Sequence, residues 1–318
     1  MTVISTLLHL TNYKSPLLQT LVPSVAASFT IQAAFAVPSI IAQSEKFYDF
    51  SGSLTYLTVT ALSLYLPSLR AKLAATGGIG SLSSFLTSPF AAGGLVSWRS
   101  IVLSGAVTIW AVRLGSFLFQ RILQDGKDSR FEEIKKSPAH FAGAWTAQAT
   151  WVSVCLLPVI AVNSIPASAV AATGAVKLTD ILGLGLYAGG LLFEVIADRQ
   201  KSQWAKERKE KVHDEEFLTR GLWSVSRHPN YFGESTLWTG IATTALGVLM
   251  SSPVKAAMGL STPAAAALCF ASPAFVTFLL TKVSGVPLSE KKYDKKFGDR
   301  KEYQEWKKNT PMYFPKLF

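Results

Sequence analysis

The polar segment 221–234 lies between two apolar stretches and carries the side chains best suited to chemistry. Its candidate functional residues are Arg227, His228, Asn230, Tyr231 and Glu234. Proline suits the first turn of a helix, so Pro229 predicts a helix start immediately after Arg227 and His228. The free N–H groups and the positive dipole at such a start bind anions, phosphates above all. We therefore expect an anion site in this segment.

Two acidic residues, Glu194 and Asp198, fall at the end of a long apolar stretch. If that helix continues to about residue 210, Glu194, Asp198 and Lys201 share one face. A carboxylate near hydrocarbon is costly, so we expect both acids to face a polar cavity or a basic partner. The alternative is an ordinary helix end with solvated ion pairs, which fits Lys206 better than it fits Glu194.

A third acid and an intramembrane arginine extend this pattern. Asn230 and Glu234 are four residues apart and therefore share a helix face. The alternative for Glu234 is that it only complements the dipole of its own helix. Arg113 lies about halfway along an apolar stretch and needs an acidic or phosphate partner, for which Glu194 or Glu234 is available.

The basic segment 284–299 contains Glu290 and Tyr293 among several lysines. Its lysines fit a helix that lies on anionic lipid, an interpretation that accounts less well for Glu290 and Tyr293. These two residues are therefore more typical of a polar site than of a lipid-facing surface.

The two cysteines, Cys155 and Cys269, both fall in apolar stretches. We expect them to be buried apolar side chains rather than a disulfide. No Cys/His set has the spacing of a metal site, so we expect no metal.

The composition predicts that a membrane-embedded helix bundle carries these residues. Of the 318 residues, 49% are hydrophobic and only 16% are charged, which exceeds the apolar share of an ordinary soluble domain. Long apolar stretches fall at about residues 19–42, 52–69, 100–120, 145–165, 178–197, 235–250 and 263–281. Several approach the ~20 residues that span a bilayer. The prediction is an all-α polytopic transmembrane bundle of about seven spans, with cytosolic helical extensions.

The chain divides in sequence into N-terminal helices with a loop, residues 1–99, and a membrane domain, residues 100–318. We expect the two parts to form one structural domain. The first apolar stretch has no basic flank and no small-residue cleavage site, which favours a retained helix over a removed signal.

The formal net charge of +11 is concentrated at the ends of the apolar stretches. This distribution excludes a nucleic-acid partner, which needs a basic surface on a soluble face. Alternate loops hold most of the basic residues, in segments 121–136, 199–227 and 282–316. By the positive-inside rule these segments lie in the cytosol and the N-terminus lies outside or in the lumen. The polar segment 221–234 then opens to the cytosol.

Four sequence features together resemble the steroid 5-alpha-reductase C-terminal superfamily, most closely its DUF1295 branch. They are Arg-Leu-Gly at 113–115 with Gly-Lys-Asp-Ser-Arg-Phe at 126–131, Ala-Asp-Arg-Gln-Lys at 197–201, segment 226–234, and Gly-Val-Pro-Leu at 285–288 with the tail 293–315. The likeness covers about residues 100–318. Arg-His-Pro-Asn-Tyr alone is shared with sterol reductases and isoprenylcysteine carboxyl methyltransferases.

The resemblance implies a helical membrane enzyme that binds NADPH from the cytosolic side and transfers hydride to a carbon–carbon double bond of a lipid or steroid-like substrate. It implies that Asn230, Glu234 and Asp198 line the cofactor cavity and that Tyr293 contacts the cofactor. Arg227 and His228 fit phosphate binding on physical grounds as well. The cofactor site so predicted comprises Arg113, Glu194, Asp198, Lys201, Arg227, His228, Asn230, Tyr231, Glu234 and Tyr293.

Two positions depart from the family pattern. Ala205 stands where an arginine is expected, so phosphate binding passes to Lys201, Lys206 or Arg130. The second apolar stretch has no acid to polarise a substrate, and its Tyr56 and Tyr65 are unaligned candidates. The catalytic residues are therefore unassigned.

Two other functions remain open from the sequence. An S-adenosylmethionine-dependent membrane methyltransferase shares the Arg-His-Pro-x-Tyr-x-Gly core, although its cofactor carries no phosphate. A non-catalytic membrane protein that binds lipid through its polar face is the third possibility. For any of the three, a cytosol-facing bundle without a transit peptide suits the endoplasmic reticulum.

Overall fold

The computed structural model describes residues 3–76, 87, 96–128, 130–171 and 174–316, and these residues form helices joined by loops. Most of the predicted loop before residue 98 lies outside the described residues. The helices are α1 (Val3–Leu10), α2 (Pro16–Ile41), α3 (Tyr48–Thr76), α4 (Trp98–Asp125), α5 (Pro138–Cys155), α6 (Leu157–Asn163), α7 (Ala167–Val170), α8 (Leu178–Lys209), α9 (Pro229–Leu249), α10 (Ser252–Met258), α11 (Thr262–Phe278), α12 (Gly285–Phe297) and α13 (Lys301–Asn309). Short 3-10 turns occupy Ile134–Lys136 and Gly221–Ser224, and a π-helical turn occupies Leu279–Val283. The all-α prediction is confirmed.

The chain is an integral membrane protein. Within the described residues, four helical runs are long and apolar enough to cross a bilayer: Pro16–Ile41, Trp98–Gln124, Leu178–Lys209 and Thr262–Phe297. Two bent pairs, α5 with α6 at 49° and α9 with α10 at 87°, raise the number to as many as six. The predicted number was about seven. The difference is the stretch 52–69, which lies in α3, because the serines and threonines of this 29-residue helix lower its hydropathy.

Helix α2 has the inside-out pattern of a membrane helix. Its buried residues are Leu17, Thr20, Ser24, Ser28, Gln32, Ala36 and Ser39. Large apolar side chains face outward instead, and Ile41 is 80% exposed. Small residues on the packed face let neighbouring backbones approach closely, whereas lipid solvates the outer face. The hydroxyl of Ser28 donates to the Ala149 carbonyl at 3.0 Å, so the buried polar face is used in packing.

The chain forms two compact units, and the first consists of Met1–Asp180 and Thr243–Ser272. Its core contains the ring of Tyr56, which meets Trp110 and Trp151 edge to face at 5.0 and 5.2 Å. The buried Gln148 amide donates to Gln32 Oε1 at 2.9 Å. Both cysteines are free and buried in this unit, as predicted.

Two groups of ion pairs stabilise the first unit. The buried guanidinium of Arg99 donates to both carboxylate oxygens of Asp180, at 2.8 and 2.6 Å. Near the α2–α3 loop, Lys135 contacts Glu45 at 2.8 Å. Arg130 binds Asp128 and, at 3.0 Å, Asp49. Arg130, one of the proposed phosphate ligands, is therefore engaged with two carboxylates of its own unit.

The second unit consists of Ile181–Ala242 and Pro273–Phe318 and contains two helices whose backbones are in contact. A Cβ atom on Gly190 would lie 2.5 Å from the backbone nitrogen of Leu237, and one on Gly233 would lie 2.7 Å from that of Glu194. A Cβ on Gly240 would clash with the carbonyl of Gly183. The pairing of 190 with 233 and of 183 with 240 shows that α8 and α9 are antiparallel and in backbone contact.

Candidate functional site

A pocket of about 480 Å³, part of it open to solvent, lies within the second unit. Its walls are aromatic and charged. The lining residues are Lys201, Trp204, Leu218, Trp223, Arg227, His228, Ser289, Glu290, Tyr293, Tyr303 and Trp306.

The helical periodicity explains why most of the lining residues point into the pocket. Lys201 and Trp204 are three residues apart on α8, and Tyr303 and Trp306 are three apart on α13. Residues 289, 290 and 293 occupy one face of α12. Each helix therefore directs one stripe of side chains into the pocket.

The 3-10 turn Gly221–Ser224 delivers Trp223. Its indole nitrogen donates to the Ala197 carbonyl at 3.0 Å, and the backbone N–H of Leu222 donates to Gln200 Oε1 at 2.9 Å. Gly221 has φ of +63°, a conformation that glycine adopts without strain. These contacts fix the turn against α8 and so fix the Trp223 ring.

A basic side chain of the protein lies near each of three aromatic rings of the pocket. Lys201 Nζ lies 5.0 Å from the centre of the Trp223 ring. The Arg208 guanidinium lies 5.4 Å from the Trp204 ring, and Lys307 Nζ lies 5.8 Å from that of Tyr303. Because the faces already hold positive charge, the pocket favours an anionic ligand over a cationic one.

One carboxylate, Glu290, gathers three basic side chains at the pocket wall. It lies 3.0 Å from His228 Nε2, 3.4 Å from Arg227 Nε and 3.1 Å from Lys307 Nζ. Burial lowers the pKa of His228, and this effect exceeds the opposing influence of Glu290. The pKa of Lys307 is raised, because Asp294 and Glu290 outweigh the lowering caused by burial.

The C-terminal segment 310–316, here called the strap, holds the backbone that carries Arg227 and His228. The N–H of Arg227 donates to Pro311 O at 2.9 Å, and the N–H of Lys316 donates to Val225 O at 2.8 Å. The hydroxyl of Ser226 donates to Tyr313 O at 2.8 Å. The Tyr313 hydroxyl itself contacts Tyr231 O and Ser235 Oγ. The strap therefore orders the start of α9.

Helix α9 begins at Pro229, as predicted, with Arg227 and His228 immediately before it. The pocket brings together four residues of the predicted site: Lys201, Arg227, His228 and Tyr293. Tyr231 lies beside them, its ring stacked on His228 at 5.5 Å and 7°. The ring of Tyr293 contacts that of Phe297, with ring centres 5.7 Å apart.

Asp198 and Asn230 form a partly buried pair between α8 and α9. The Asn230 amide donates to Asp198 Oδ1 at 3.2 Å. The Asn230 carbonyl oxygen is buried and has no hydrogen-bond donor among the described residues. This pair leaves one acceptor for a ligand or a water.

The remaining predicted residues do not line the pocket. Glu194 and Glu234 lie in α8 and α9 and are 2% and 9% exposed. Arg113 belongs to the first unit, where it is half-buried with its guanidinium 5.6 Å from the Phe117 ring. Its pairing with a membrane acid stays a prediction.

Several residues of this pocket were not among the predicted site residues: Trp204, Leu218, Trp223, Ser289, Tyr303 and Trp306. Glu290 was expected in a polar site but was given no role. Aromatic residues in polar segments were the available signal, since three of the eight tryptophans line the pocket. The indole nitrogen of Trp306 is buried and has no acceptor among the described residues. A buried donor without a partner is costly, and a ligand acceptor would satisfy it.

Comparison with known proteins gives one match. A family model described as "Protein of unknown function (DUF1295)" matches residues 74–310, about three quarters of the chain. No curated protein and no solved structure matches.

Proposed function

The chain belongs to the DUF1295 family, and from this premise we propose that it is a membrane oxidoreductase that uses NADPH to reduce a carbon–carbon double bond of a lipid or steroid-like substrate. The proposal places the pocket of the second unit at the cytosolic face of the endoplasmic reticulum membrane. The skew of basic residues toward the loops that flank this pocket supports that orientation.

One observation carries the proposal: the pocket combines flat aromatic walls with cations held over them. Lys201 lies over Trp223 and Arg208 lies over Trp204. Aromatic faces stack on nucleotide rings, and lysine and arginine attract phosphate. A dinucleotide offers both features in one molecule.

The residues present fit such a cofactor. Lys201 would meet a phosphate, and the tryptophans and Tyr293 would pack on a ring. The buried Trp306 N–H, which has no acceptor among the described residues, would donate to a ring nitrogen or a phosphate oxygen. Arg227 is engaged by Glu290 and by the Lys307 carbonyl, so its role would be to hold the pocket wall.

When bound, NADPH supplies a hydride, and the protein orients it and excludes water. The Asp198–Asn230 pair presents a buried carbonyl oxygen that can accept a hydrogen bond from an amide group. The buried acids Glu194 and Glu234 lie farther along the same helices, in the apolar segments that a lipid substrate would reach.

The methyltransferase alternative fits these charges less well. S-adenosylmethionine carries a positive sulfonium, which the cations over Trp223 and Trp204 would repel. Glu290 could offset that repulsion, but its carboxylate is held by Arg227, His228 and Lys307.

Energy transfer from tryptophan to the reduced nicotinamide tests the proposal directly. Protein reconstituted in nanodiscs is titrated with NADPH, NADH and S-adenosylmethionine while tryptophan emission is followed. We expect saturable quenching with sensitised nicotinamide emission for NADPH. Saturable binding of S-adenosylmethionine without NADPH binding would support the methyltransferase. No binding of any of the three would contradict both enzymes and favour a non-catalytic lipid-binding protein.

A further inference from the structure

The contact between Glu290 and His228 has a chemical consequence for the pocket. His228 Nε2 lies 3.0 Å from Glu290 Oε1, and both residues line the pocket. An ionised carboxylate only accepts hydrogen bonds, so Nε2 must carry the proton. In a neutral imidazole the other nitrogen, Nδ1, is then an acceptor.

Glu290 is held in its ionised form by its surroundings. Arg227 Nε lies 3.4 Å and Lys307 Nζ 3.1 Å from its carboxylate. Opposite charges this close favour the charged acid. Lys307 is itself fixed by Asp294, and Arg227 by the carbonyl of Lys307, so the two basic groups cannot easily leave.

His228 is held neutral and in one orientation. Burial, Lys201 and Arg227 all disfavour the imidazolium and lower the His228 pKa, while Glu290 alone opposes them. The Tyr231 ring stacks parallel to the imidazole. The strap and the Ser226 hydroxyl, which accepts from the His228 N–H at 3.2 Å, fix its backbone.

We propose that Glu290 is a positioning residue that locks His228 as the Nε2–H tautomer, so that the pocket presents a hydrogen-bond acceptor and selects ligands that carry a matching hydroxyl or amine donor. For the proposed cofactor, the donor would be a ribose hydroxyl or the purine amine. The identity of this ligand rests on the proposed function, whereas the state of His228 does not. Carboxylate-fixed tautomers of this kind orient histidines in many enzymes.

Nitrogen NMR of the histidine side chains tests whether Glu290 fixes the tautomer of His228 in the ligand-free protein. The chain has four histidines, so ¹⁵N-histidine labelling gives few signals, and the spectrum of His228→Asn assigns the one of interest. At neutral pH we expect a protonated Nε2 and an unprotonated Nδ1 for His228. Glu290→Gln should shift both resonances toward a tautomer mixture, because an amide can donate as well as accept. The matched control Glu302→Gln, an exposed acid on α13, should change neither.

An Nδ1–H tautomer or an imidazolium at neutral pH, or a Glu290→Gln spectrum identical to the wild type, would overturn the inference.

NADPH addition provides the second measurement. We expect the Nδ1 resonance to move toward the protonated type and the Glu290→Gln variant to bind NADPH about tenfold or more weakly, the loss typical of one hydrogen bond to a buried acceptor. If energy transfer reports NADPH binding while the Nδ1 resonance does not shift, then His228 does not accept a hydrogen bond from the ligand, and the proposed function stands. If NADPH does not bind, the proposed function fails. The spectra of the ligand-free protein still show whether Glu290 fixes the tautomer of His228.

Discussion

At the scale of single residues, the basic side chains at the pocket differ in the contacts that they make. Arg227 and Lys307 both contact Glu290, so their charge is largely balanced inside the protein. Lys201 is exposed and lies over Trp223 at the pocket wall. Arg227 and Lys307 keep the wall in shape, whereas the exposed Lys201 lies within reach of a ligand in the pocket.

Replacement of Lys201 by alanine should weaken NADPH binding by about 10- to 100-fold, since a charge-assisted contact contributes about 1.5–3 kcal/mol. The loss should shrink as salt is raised, because the contact with phosphate is electrostatic. Titration by tryptophan energy transfer at two salt concentrations measures both effects. The control is Lys209→Ala, an exposed lysine on the same helix that does not line the pocket. Equal affinities for the two variants would remove Lys201 from the site.

The lowered pKa of His228 predicts how stability depends on pH. The unfolded histidine takes up its proton near its ordinary pKa of about 6.5, while the folded one resists protonation. The unfolded state therefore binds more protons below that pH, and stability should fall as pH drops through about 6.5. Thermal midpoints in detergent between pH 7.5 and 5 (about the titration range of histidine) measure the slope. His228→Gln should flatten it. A wild-type midpoint that rises on acidification would contradict this assignment.

At the scale of helices, glycines decide how the site is assembled. Helices α8 and α9 carry Lys201 and the residues after Pro229, and backbone contact at Gly190 and Gly233 brings them together. No larger residue fits, because an added Cβ would lie within 2.7 Å of backbone atoms of the other helix at either position. The helices must separate to admit even one methyl group.

Gly190→Ala should therefore lower stability by about 1–3 kcal/mol, the usual cost of overpacking. The neighbouring Gly189→Ala is a matched control, since its added Cβ would meet nothing within 4 Å. Alanine also favours helix over glycine, so the control should be neutral or slightly stabilised. Thermal midpoints of the two variants in detergent provide the measurement. A Gly190→Ala protein as stable as Gly189→Ala would show that the helices can part without cost.

At the scale of the whole molecule, the chain is a membrane protein that buries many polar groups within its two units. The first unit buries serines, threonines and glutamines together with large side chains such as Trp110 and Trp145, while α2 turns its large apolar side chains outward. It also buries the Arg99–Asp180 pair completely. The second unit holds the pocket and the strap.

Replacement of Arg99 by methionine should destabilise the protein by about 3–5 kcal/mol, because Asp180 would be left as a buried charge without its partner. Asp180→Asn in the same chain should restore part of the loss. Lys127→Met, which removes an exposed pair with Glu132, should cost less than about 1 kcal/mol. Thermal unfolding in nanodiscs gives the three values. An Arg99→Met variant as stable as Lys127→Met would mean that water reaches Asp180.

The sequence alone determined the class of the molecule and the local geometry of its chemistry-bearing segments. Apolar length predicted the membrane helices, and Pro229 predicted the start of α9. These features depend on residues within one or two helical turns, so periodicity and backbone stereochemistry are sufficient. The upper count of six spans agrees with the predicted number of about seven, and the stretch that differs lies in hydroxyl-rich α3.

Only the tertiary structure decided which of these residues meet. Glu290 lies 62 residues from His228 in sequence, yet their side chains are in contact, and the strap reaches Arg227 from the end of the chain. No local pattern encodes such pairings, because they depend on how closely α8 and α9 approach and on where α12 and α13 pack. The same packing left Glu194 and Glu234 out of the pocket lining and brought in Trp204, Trp223 and Trp306. The partner of a buried charge is the group that the packing of the whole unit brings beside it, so the sequence around the charge does not identify that partner.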